Sequence, residues 1–316
     1  MRIALAGDTM LGRGVADKIA ADPEAALFSD EVIDLFRDSD LAVLNLECCI
    51  STRGERWSEP GKPFFFRAPP EAIRHLEHLG VDCVTLANNH ALDFGRDALL
   101  DTFGHLESAE IEWAGGGPNS DRARRASVVT TDEFRLAVLA VTDHPPGYAA
   151  GRDRPGVAYA DLRAGVPDWL LQGISMAEAD AVLVSPHWGP NMNPEPLEYA
   201  RAAAGRLVES GATIVAGHSA HVFQGVGPPV LYDLGDFVDD YAIDPVLRND
   251  LGLVFIATIE GSGLSCIEAV PLKLDYCYTR LAEGDDARWI RERFASACEA
   301  FGTSVDERDG RLVVGG

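Results

Sequence analysis

The 316-residue sequence has few basic residues and no long apolar run. Its 27 lysines and arginines stand against 50 aspartates and glutamates, which gives a net charge of −23 at pH 7. Such a charge repels nucleic acid and anionic membrane surfaces unless a metal ion intervenes. No apolar run approaches the roughly 20 residues that a membrane-spanning helix needs. The sequence therefore predicts neither a nucleic-acid partner nor a membrane partner.

Targeting segments and paired cysteines are also missing. The chain begins with strand-like residues instead of a charged segment followed by an apolar one, so no signal peptide is expected. Six cysteines occur without C-x-x-C spacing, and several lie in apolar runs. This pattern is typical of reduced core thiols. We therefore expect a soluble protein in the cytoplasm.

What is present is the composition of a globular α/β protein. Apolar residues make up 47% of the chain and charged residues 24%, as in ordinary soluble domains. Strand-like runs alternate with helix-like segments, and the later part of the chain reads as successive strands. The pattern predicts one continuous domain over residues 1–316, with the core motifs in 1–260 and C-terminal strands and a helix in 261–316.

Several local predictions can be tested against the structure. Ser29 is a suitable N-cap for a helix, and residues 71–79 and 162–178 also have helical patterns. Residues 54–70 are rich in Gly, Pro, Lys and aromatics and have no helix or strand pattern. A long segment of this kind predicts a functional loop over the sheet edge.

Polar residues follow the apolar run 81–87 directly. Asn88, Asn89 and His90 end this run, and Asp93 lies three residues further on. Open α/β sheets place their functional sites at such carboxyl ends of strands. Taken alone, the stretch has an equally good structural explanation: Asn88 and Asn89 form a turn, and His90 is a structural histidine.

Other predicted strands end in the same way. The residues that follow apolar runs by one or two positions include Asp8, Glu47, His187, His218 and His221. Together with the stretch at His90, five strands present carboxylate, amide or imidazole groups at one edge. These groups are the ligands that a divalent cation takes from proteins. Convergence of this kind is hard to attribute to caps or core polar groups.

The order of these motifs resembles the CapA (capsule, poly-γ-glutamate synthesis) family of the calcineurin-like metallophosphoesterase superfamily. The motifs are Gly7-Asp8, Asn45-Leu46-Glu47, Asn88-Asn89-His90 with Asp93 and Gly95, His187-Trp188-Gly189, and Gly217-His218-Ser219-Ala220-His221. The resemblance covers about the first 260 residues. It implies an α/β fold, a four-layer α/β/β/α sandwich, with a metal site at the strand ends.

The resemblance also implies a set of metal ligands. Asp8, Glu47 and His221 would form the first side of the site, with Glu47 bridging. Asn89, His187 and His218 would form the second side. Met10 stands where the related phosphoesterases carry a histidine, which favours one ion over a two-metal clamp.

The identity of the ion follows from the role of the histidines. Oxygen ligands favour Ca²⁺, Mn²⁺ or Mg²⁺, whereas three histidine ligands would also suit Zn²⁺ or Fe²⁺. If the histidines transfer protons instead of binding the ion, only the oxygen ligands remain, and they favour the hard cations.

Histidine and carboxylate pairs suggest proton transfer. The predicted catalytic residues are His90, Asp93, His221 and Asp8, because a carboxylate fixes the tautomer of a histidine and raises its basicity. His90 has Asp93 three residues away, and His221 or His218 could pair with Asp8, Asp236 or Asp239. Two such pairs on opposite sides of a substrate predict a peptide epimerase, similar to the CapA-like lasso-peptide epimerases. The alternatives are a metallohydrolase of a phosphoester or γ-glutamyl polymer, and a non-catalytic scaffold protein.

The predicted partner is a peptide or small-molecule substrate, and no oligomeric state is predicted. The candidate substrate contacts are Asn88, Trp188, Arg67 and Lys62. Arg13 also lies in a loop beside the motifs and is suited to holding a carboxylate. A solvated role is equally consistent with each of these basic residues, and the nearby aromatics suit either a peptide pocket or core packing.

Overall fold

The computed structural model describes residues 1–58, 62–261 and 263–315. The strands in these ranges are β1 (Arg2–Thr9), β2 (Leu41–Leu46), β3 (Cys49–Ile50), β4 (Arg67–Ala68), β5 (Cys83–Thr85), β6 (Glu112–Ala114), β7 (Gly116–Gly117), β8 (Ser127–Thr130), β9 (Arg135–Thr142), β10 (Gly156–Val157), β11 (Ala181–His187), β12 (Ile214–Ala216), β13 (Val226–Gly227), β14 (Val230–Leu231), β15 (Asp236–Val238), β16 (Leu251–Glu260), β17 (Gly263–Asp275), β18 (Tyr278–Leu281), β19 (Asp306–Arg308) and β20 (Arg311–Gly315).

The helices in the same ranges are α1 (Arg13–Ala21), α2 (Asp30–Arg37), α3 (Ile73–Leu79), α4 (Gly95–Ser108), α5 (Ser120–Arg124), α6 (Asp168–Ser175), α7 (Glu198–Glu209) and α8 (Gly284–Glu299). Short 3₁₀ turns cover Pro70–Ala72 and Pro146–Tyr148.

Two large sheets form the centre of the molecule. The first has the order β19-β20-β17-β16-β1-β2-β5-β6, with β15 pairing with β1 and β18 pairing with β17. The second has the order β13-β14-β12-β11-β9-β8. Strands β1, β2, β5 and β6 are parallel, as are β9, β11, β12 and β14. The carboxyl ends of these parallel strands are where the predicted site residues lie.

Alternation of side chains along β9 shows how the layers stack. Leu136, Val138 and Ala140 belong to the larger core cluster, whereas Ala137, Leu139 and Val141 belong to a second cluster. The second cluster also contains buried residues of α6 and α7, and the larger one contains buried residues of α2, α3 and α8. Because successive strand residues face opposite sides of a sheet, the order helix, sheet, sheet, helix confirms the four-layer α/β/β/α sandwich.

Most predicted helices are found, with one clear error. Ser29 caps α2 by accepting a hydrogen bond from the Val32 amide. The helix predicted over 162–178 is wrong at its start, because α6 spans only Asp168–Ser175. Pro167 is the N-cap of α6, and a proline disfavours the helical conformation in the residue before it. Gly165 adopts a left-handed φ of 119°, which also interrupts a helix.

The loop predicted over 54–70 contacts the segment that follows β5. Its last residues include β4, which pairs with β3, and residues 59–61 lie outside the described part of the chain. The Trp57 amide donates to the Asp93 carbonyl at 2.8 Å, and the Phe66 amide donates to Asp93 Oδ2 at 2.6 Å. These bonds attach both ends of the loop to one aspartate of the predicted site.

The six cysteines are free thiols, five of them buried. No described helix combines the length and apolarity that crossing a membrane requires. The single-domain division of residues 1–316 and the cytoplasmic location stay predictions.

Candidate metal and acid/base site

A chain of hydrogen bonds orients Asp8 at the end of β1. Strands β1 and β2 are parallel and place Asp8 opposite Asn45. Asn45 Nδ2 donates to Asp8 Oδ1 at 2.7 Å, and Asn45 Oδ1 accepts from Thr85 Oγ1 at 3.1 Å and from Asn88 Nδ2 at 3.0 Å. One carboxylate oxygen of Asp8 is thereby fixed, and the other is available to a ligand.

The second sheet brings two histidines to Asp8. His187 ends β11, His218 follows β12, and their Nδ1 atoms lie 2.8 Å apart. The Nδ1 atoms of His187 and His218 are 4.0 and 3.7 Å from Asp8 Oδ1. Ser185 Oγ lies 2.7 Å from His218 Nε2. Asp8, His187 and His218 therefore form one group that is able to hold a metal ion.

A second group shares the same aspartate. Strand β15 pairs with β1 and places Asp236 opposite Asp8. His221 Nδ1 lies 2.8 Å from Asp236 Oδ1 and 3.4 Å from Asp8 Oδ2. Asp8, His221 and Asp236 thus offer three ligand atoms close together. Since Asp8 belongs to both groups, either group would need it to hold an ion.

The segment that carries His218 and His221 has an unusual backbone. Ser219 and His221 adopt positive φ values of 120° and 60°, which non-glycine residues rarely do. Asp233 holds the segment in place, because its Oδ2 accepts from the Ala220 amide at 2.8 Å and its Oδ1 from the Gly235 amide at 2.9 Å. Strained backbone of this kind concentrates at functional sites.

Several buried ligand atoms at the site have no hydrogen-bond partner. They are Asp8 Oδ2, Glu47 Oε1, Asn89 Oδ1, His187 Nε2 and Asp236 Oδ2. Buried polar atoms in proteins almost always have partners, and each of these five offers a lone pair. The residues therefore fit a divalent cation, with Glu47 and Asn89 outside the two groups of three.

Burial makes the charged forms of the carboxyl and imidazole groups at the site unfavourable when no cation is bound. Burial raises the pKa of Glu47 well above its usual range, and the charges of Asp8 and Asp236 add to this effect. Burial also raises the pKa of Asp236. It lowers the pKa of His187 well below the ordinary value and that of His218 to about 3. A bound cation would favour ionised carboxylates and neutral histidines.

His90 is fixed by its pair with Asp93. His90 Nδ1 lies 2.6 Å from Asp93 Oδ2. Asp93 also accepts from the Phe66 amide, from the Tyr148 hydroxyl at 2.8 Å and from Lys62 Nζ at 2.9 Å. This many donors hold the carboxylate in one position, and the carboxylate in turn fixes the imidazole ring.

The other nitrogen of His90 faces the carboxylates. His90 Nε2 lies 3.9 Å from Glu47 Oε1, and the Phe66 ring stacks on the imidazole with centroids 4.0 Å apart. Burial lowers the pKa of His90 to about 4 despite the charge of Asp93. His90 is therefore neutral near pH 7, and because its Nδ1 atom is bonded to Asp93, its Nε2 atom is the one that faces Glu47.

His90 and His221 line the same cavity, which has a volume of about 500 Å³. Its other described lining residues are mainly apolar and aromatic: Arg13, Phe64, Phe66, Asn191, Met192, Tyr241, Ala242, Ile243, Asp244, Pro245 and Asn249. A cavity of this size accepts a small molecule or a few residues of a chain.

Comparison with known proteins gives the family. The family described as "Bacterial capsule synthesis protein PGA_cap" matches residues 2–241 of the chain. The chain belongs to the PGA_cap family. It is 32% identical over 295 residues to a probable polyglutamine synthesis accessory protein of Mycobacterium tuberculosis, over 87% of this chain and 77% of that protein. It is 31% identical over 242 residues to the PGA biosynthesis protein CapA of Bacillus subtilis, over 74% of this chain and 62% of that protein.

Membership of the PGA_cap family confirms the resemblance to CapA. A hypothetical protein from Thermus thermophilus shares the fold, with a TM-score of 0.53 and 19% identity over 87% of this chain and 100% of that one. The fold is the calcineurin-like sandwich that the resemblance implied. Every residue of the two ligand groups lies within the part that matches the PGA_cap family, which supports a metal-dependent enzyme.

Two predicted substrate contacts lie beside the site but do not line the described cavity. Asn88 donates to the Leu46 carbonyl at 2.8 Å and accepts from the His90 amide at 3.0 Å, so it supports the motif backbone. Lys62 Nζ contacts Asp93 and donates to the Asn89 carbonyl at 2.8 Å. Both side chains therefore hold the segment 88–93 in place.

The other two, Arg67 and Trp188, are also absent from the described cavity lining. Arg67 donates to the Arg53 carbonyl at 3.1 Å, and its guanidinium lies over the Phe94 ring at 4.1 Å. Trp188 donates through Nε1 to the Tyr232 carbonyl at 2.9 Å and packs in the second core cluster. An indole that is bonded and buried in this way has a structural role.

Sequence reasoning missed a further pair of the same kind in this PGA_cap protein. Asp143 and His144 follow β9 directly, and the His144 Nδ1 atom contacts Asp143 Oδ1. The Tyr199 hydroxyl also donates to Asp143, and the His144 ring lies 5.3 Å from that of His187. The signal was present, since an apolar run ends in Asp and His here as at the other strands.

Proposed function

We propose that this PGA_cap family protein is a metal-dependent acid/base enzyme that acts on a peptide or a γ-glutamyl polymer. One observation carries the proposal: two histidine and carboxylate pairs, His90 with Asp93 and His221 with Asp236, reach one cavity from different segments. The unpartnered ligand atoms beside them support a divalent ion.

The ion would be held around Asp8. His187 and His218 complete one group of ligands, and His221 and Asp236 complete the other. Since Asp8 is shared, the arrangement allows one ion or two. A bound divalent cation would stabilise negative charge that develops on a substrate oxygen. The oxygens favour Mn²⁺, Mg²⁺ or Ca²⁺, and the histidines favour Zn²⁺ or Fe²⁺.

The two pairs suit proton transfer at a carbon. Asp93 occupies Nδ1 of His90, which leaves Nε2 to exchange a proton with the substrate. Asp236 likewise occupies Nδ1 of His221, so proton transfer by His221 requires that the ion be held by the other group, Asp8, His187 and His218. If one histidine removes the Cα proton of a residue and the other returns a proton to the opposite face, the residue is epimerised.

A second reaction is favoured by the names of the relatives. They are described as proteins of capsule, PGA or polyglutamine synthesis, which supports a glutamyl polymer as the substrate. In hydrolysis of a γ-glutamyl amide, one histidine would accept a proton from the attacking water. The other would donate a proton to the leaving nitrogen.

Isotope labelling separates the two reactions. Protein loaded with Mn²⁺ is incubated in D₂O with a γ-glutamyl oligomer or with a peptide, and the products are analysed by mass spectrometry. Epimerisation adds deuterium at Cα without shortening the chain, whereas hydrolysis produces shorter chains. Absence of both changes with both substrates would refute the proposal.

Single variants test the two-histidine arrangement. In an epimerase, His90→Ala and His221→Ala each stop interconversion but leave exchange of one stereoisomer, a different one in each variant. In a hydrolase both variants lose cleavage, by about 10²- to 10⁴-fold. His105→Ala is the matched control, because His105 lies on α4 outside the described cavity lining, and it should leave activity unchanged.

A further inference from the structure

We propose that Arg13 binds a carboxylate of the substrate, an inference that rests on the function proposed above. Arg13, Lys62 and Arg67 are the basic residues that lie beside the motifs. Among them, Arg13 is the one that lines the described cavity. Lys62 is bonded to Asp93, and Arg67 is bonded to the backbone carbonyl of Arg53.

Asp240 fixes the position of the Arg13 guanidinium. Arg13 Nε lies 3.1 Å from Asp240 Oδ2, and Nη2 lies 3.0 Å from Asp240 Oδ1. The same carboxylate accepts from the Gly14 amide at 2.9 Å, so it also holds the first turn of α1. This two-point contact leaves Nη1 without a hydrogen bond to any described residue.

Aromatic rings restrict the guanidinium further. Its Cζ atom lies 5.5 Å from the ring centre of Phe64 and 5.7 Å from those of Phe66 and Tyr241. The Asp240 side chain is 5% exposed, whereas that of Arg13 is 35% exposed. The group is therefore rigid yet accessible, which reduces the entropy lost when it binds an anion.

Phe66 connects this cation to the proton-transfer residue. The Phe66 ring contacts the guanidinium of Arg13 and also stacks on His90. Arg13 and His90 therefore both contact one aromatic ring in the cavity wall. This arrangement suits a substrate residue whose carboxylate is attached directly to the reacting Cα.

The other residues of the cavity wall indicate which chemical groups the substrate has beside its carboxylate. Phe64 and Ile243 are exposed by 51% and 57% in the cavity wall. Asp244, the carboxylate in the described lining, accepts from the Val246 and Leu247 amides of its own turn. One cation within apolar walls suits a carboxylate beside methylene or apolar groups. A γ-linked glutamyl unit and the terminal residue of a peptide share this chemistry.

Calorimetric binding tests the role of Arg13 independently of turnover. The probes are a γ-glutamyl trimer and an apolar α-linked tripeptide, each with free carboxylates and with the carboxylates converted to amides. Wild-type protein should bind at least one free acid about 10- to 100-fold more tightly than its amide, because a charge-assisted bond is lost. Arg13→Gln should lose this preference, and Arg13→Lys should keep part of it.

Arg67→Gln is the matched control and should keep the full preference for the acid. A preference for the free trimer identifies a polymer unit as the ligand, and a preference for the free tripeptide identifies a chain end. Equal binding of acid and amide by the wild type, or an undiminished preference in Arg13→Gln, would overturn the inference. So would an absence of binding of every probe at millimolar concentration. Because binding is measured, these results do not depend on which reaction occurs.

Discussion

Two buried acidic clusters in this molecule differ in how their charge is compensated. At the start of β16, Asp250 binds Arg248 through two contacts, at 2.7 and 2.9 Å, and also contacts Lys273. Burial by itself raises the pKa of Asp250, but the hydrogen bonds from Arg248 and Lys273 outweigh it and lower the pKa. Asp286 also accepts from Arg248, at 2.8 Å. We call the group of Arg248, Asp250, Lys273 and Asp286 the cation-paired cluster.

The site cluster of Asp8, Glu47 and Asp236 shows the opposite behaviour. Burial raises the pKa of each of these carboxyl groups, and the nearby Lys62 is bonded to Asp93. Asp250 is therefore stabilised by side-chain cations, whereas no described lysine or arginine forms an ion pair with Asp8, Glu47 or Asp236. The difference indicates that the site is arranged for an added positive charge.

The largest effect is expected from Asp8→Asn. Asp8 belongs to both ligand groups, so its loss should reduce metal content to near zero. Turnover should fall by about 10³-fold, since a catalytic metal contributes several kcal/mol. Elemental analysis and the isotope assay measure the two effects. Asp286→Asn in the cation-paired cluster should change neither. Retention of metal by Asp8→Asn would contradict the shared-ligand arrangement.

Addition of metal should stabilise the folded protein. At a free metal concentration 100-fold above the dissociation constant, the gain is about 2.7 kcal/mol, seen as a higher Tm in calorimetry. Glu47 and Asp236 must lose protons to bind the ion, and burial raises their pKa. The gain should therefore increase as the pH rises through the pKa values of these two groups. A gain that is larger at the lower pH would show that these carboxylates are not ligands.

The metal-free protein should depend on pH in the opposite sense. Since the folded pKa of Glu47 and of Asp236 lies above the unfolded value, ionisation of these groups opposes folding at neutral pH. This opposition should decrease as the pH falls through the folded pKa. Denaturant unfolding in the presence of a chelator measures it.

Asp250→Asn should destabilise the metal-free protein by about 2 kcal/mol. The substitution leaves Arg248 and Lys273 without their buried counter-charge, which is costly for partly buried cations. The partial exposure of Arg248 limits the loss. Urea denaturation measures the change in the free energy of unfolding. An unchanged value would mean that the cation-paired cluster contributes no stability.

Glu47→Gln should have the smallest effect and the opposite sign. Folding at neutral pH must either protonate Glu47 or bury its charge beside Asp8 and Asp236. Glutamine removes this cost, so the metal-free protein should gain about 1 kcal/mol of stability. The same variant should bind metal more weakly. A loss of stability in the absence of metal would remove the contrast between the two clusters.

Much of the site could be predicted because strand ends are visible in sequence. An apolar run followed by Asp, Asn or His marks a polar group at the carboxyl end of a buried strand, and Asp8, His90 and His187 were found in this way. The layers of the fold came instead from the resemblance to a family, since alternation alone does not specify how two sheets stack.

The partners of these residues were harder to predict. The contact of Asp236 with His221 depends on the pairing of β15 with β1, which joins segments more than 200 residues apart in sequence. Likewise, the sequence does not show which basic loop residue would contact a substrate: Arg13, Lys62 or Arg67. Only their packing against Asp240, Asp93 and Phe94 distinguishes them.

The pairing of β1 with β16 affects how a shorter version of the protein would behave. The part that matches the family ends at residue 241, yet residues 2–5 of β1 form an antiparallel ladder with residues 255–258. A fragment that stops at 241 would expose the backbone amides and carbonyls along that side of the strand carrying Asp8. Open strand edges recruit other chains, so the fragment should self-associate in solution.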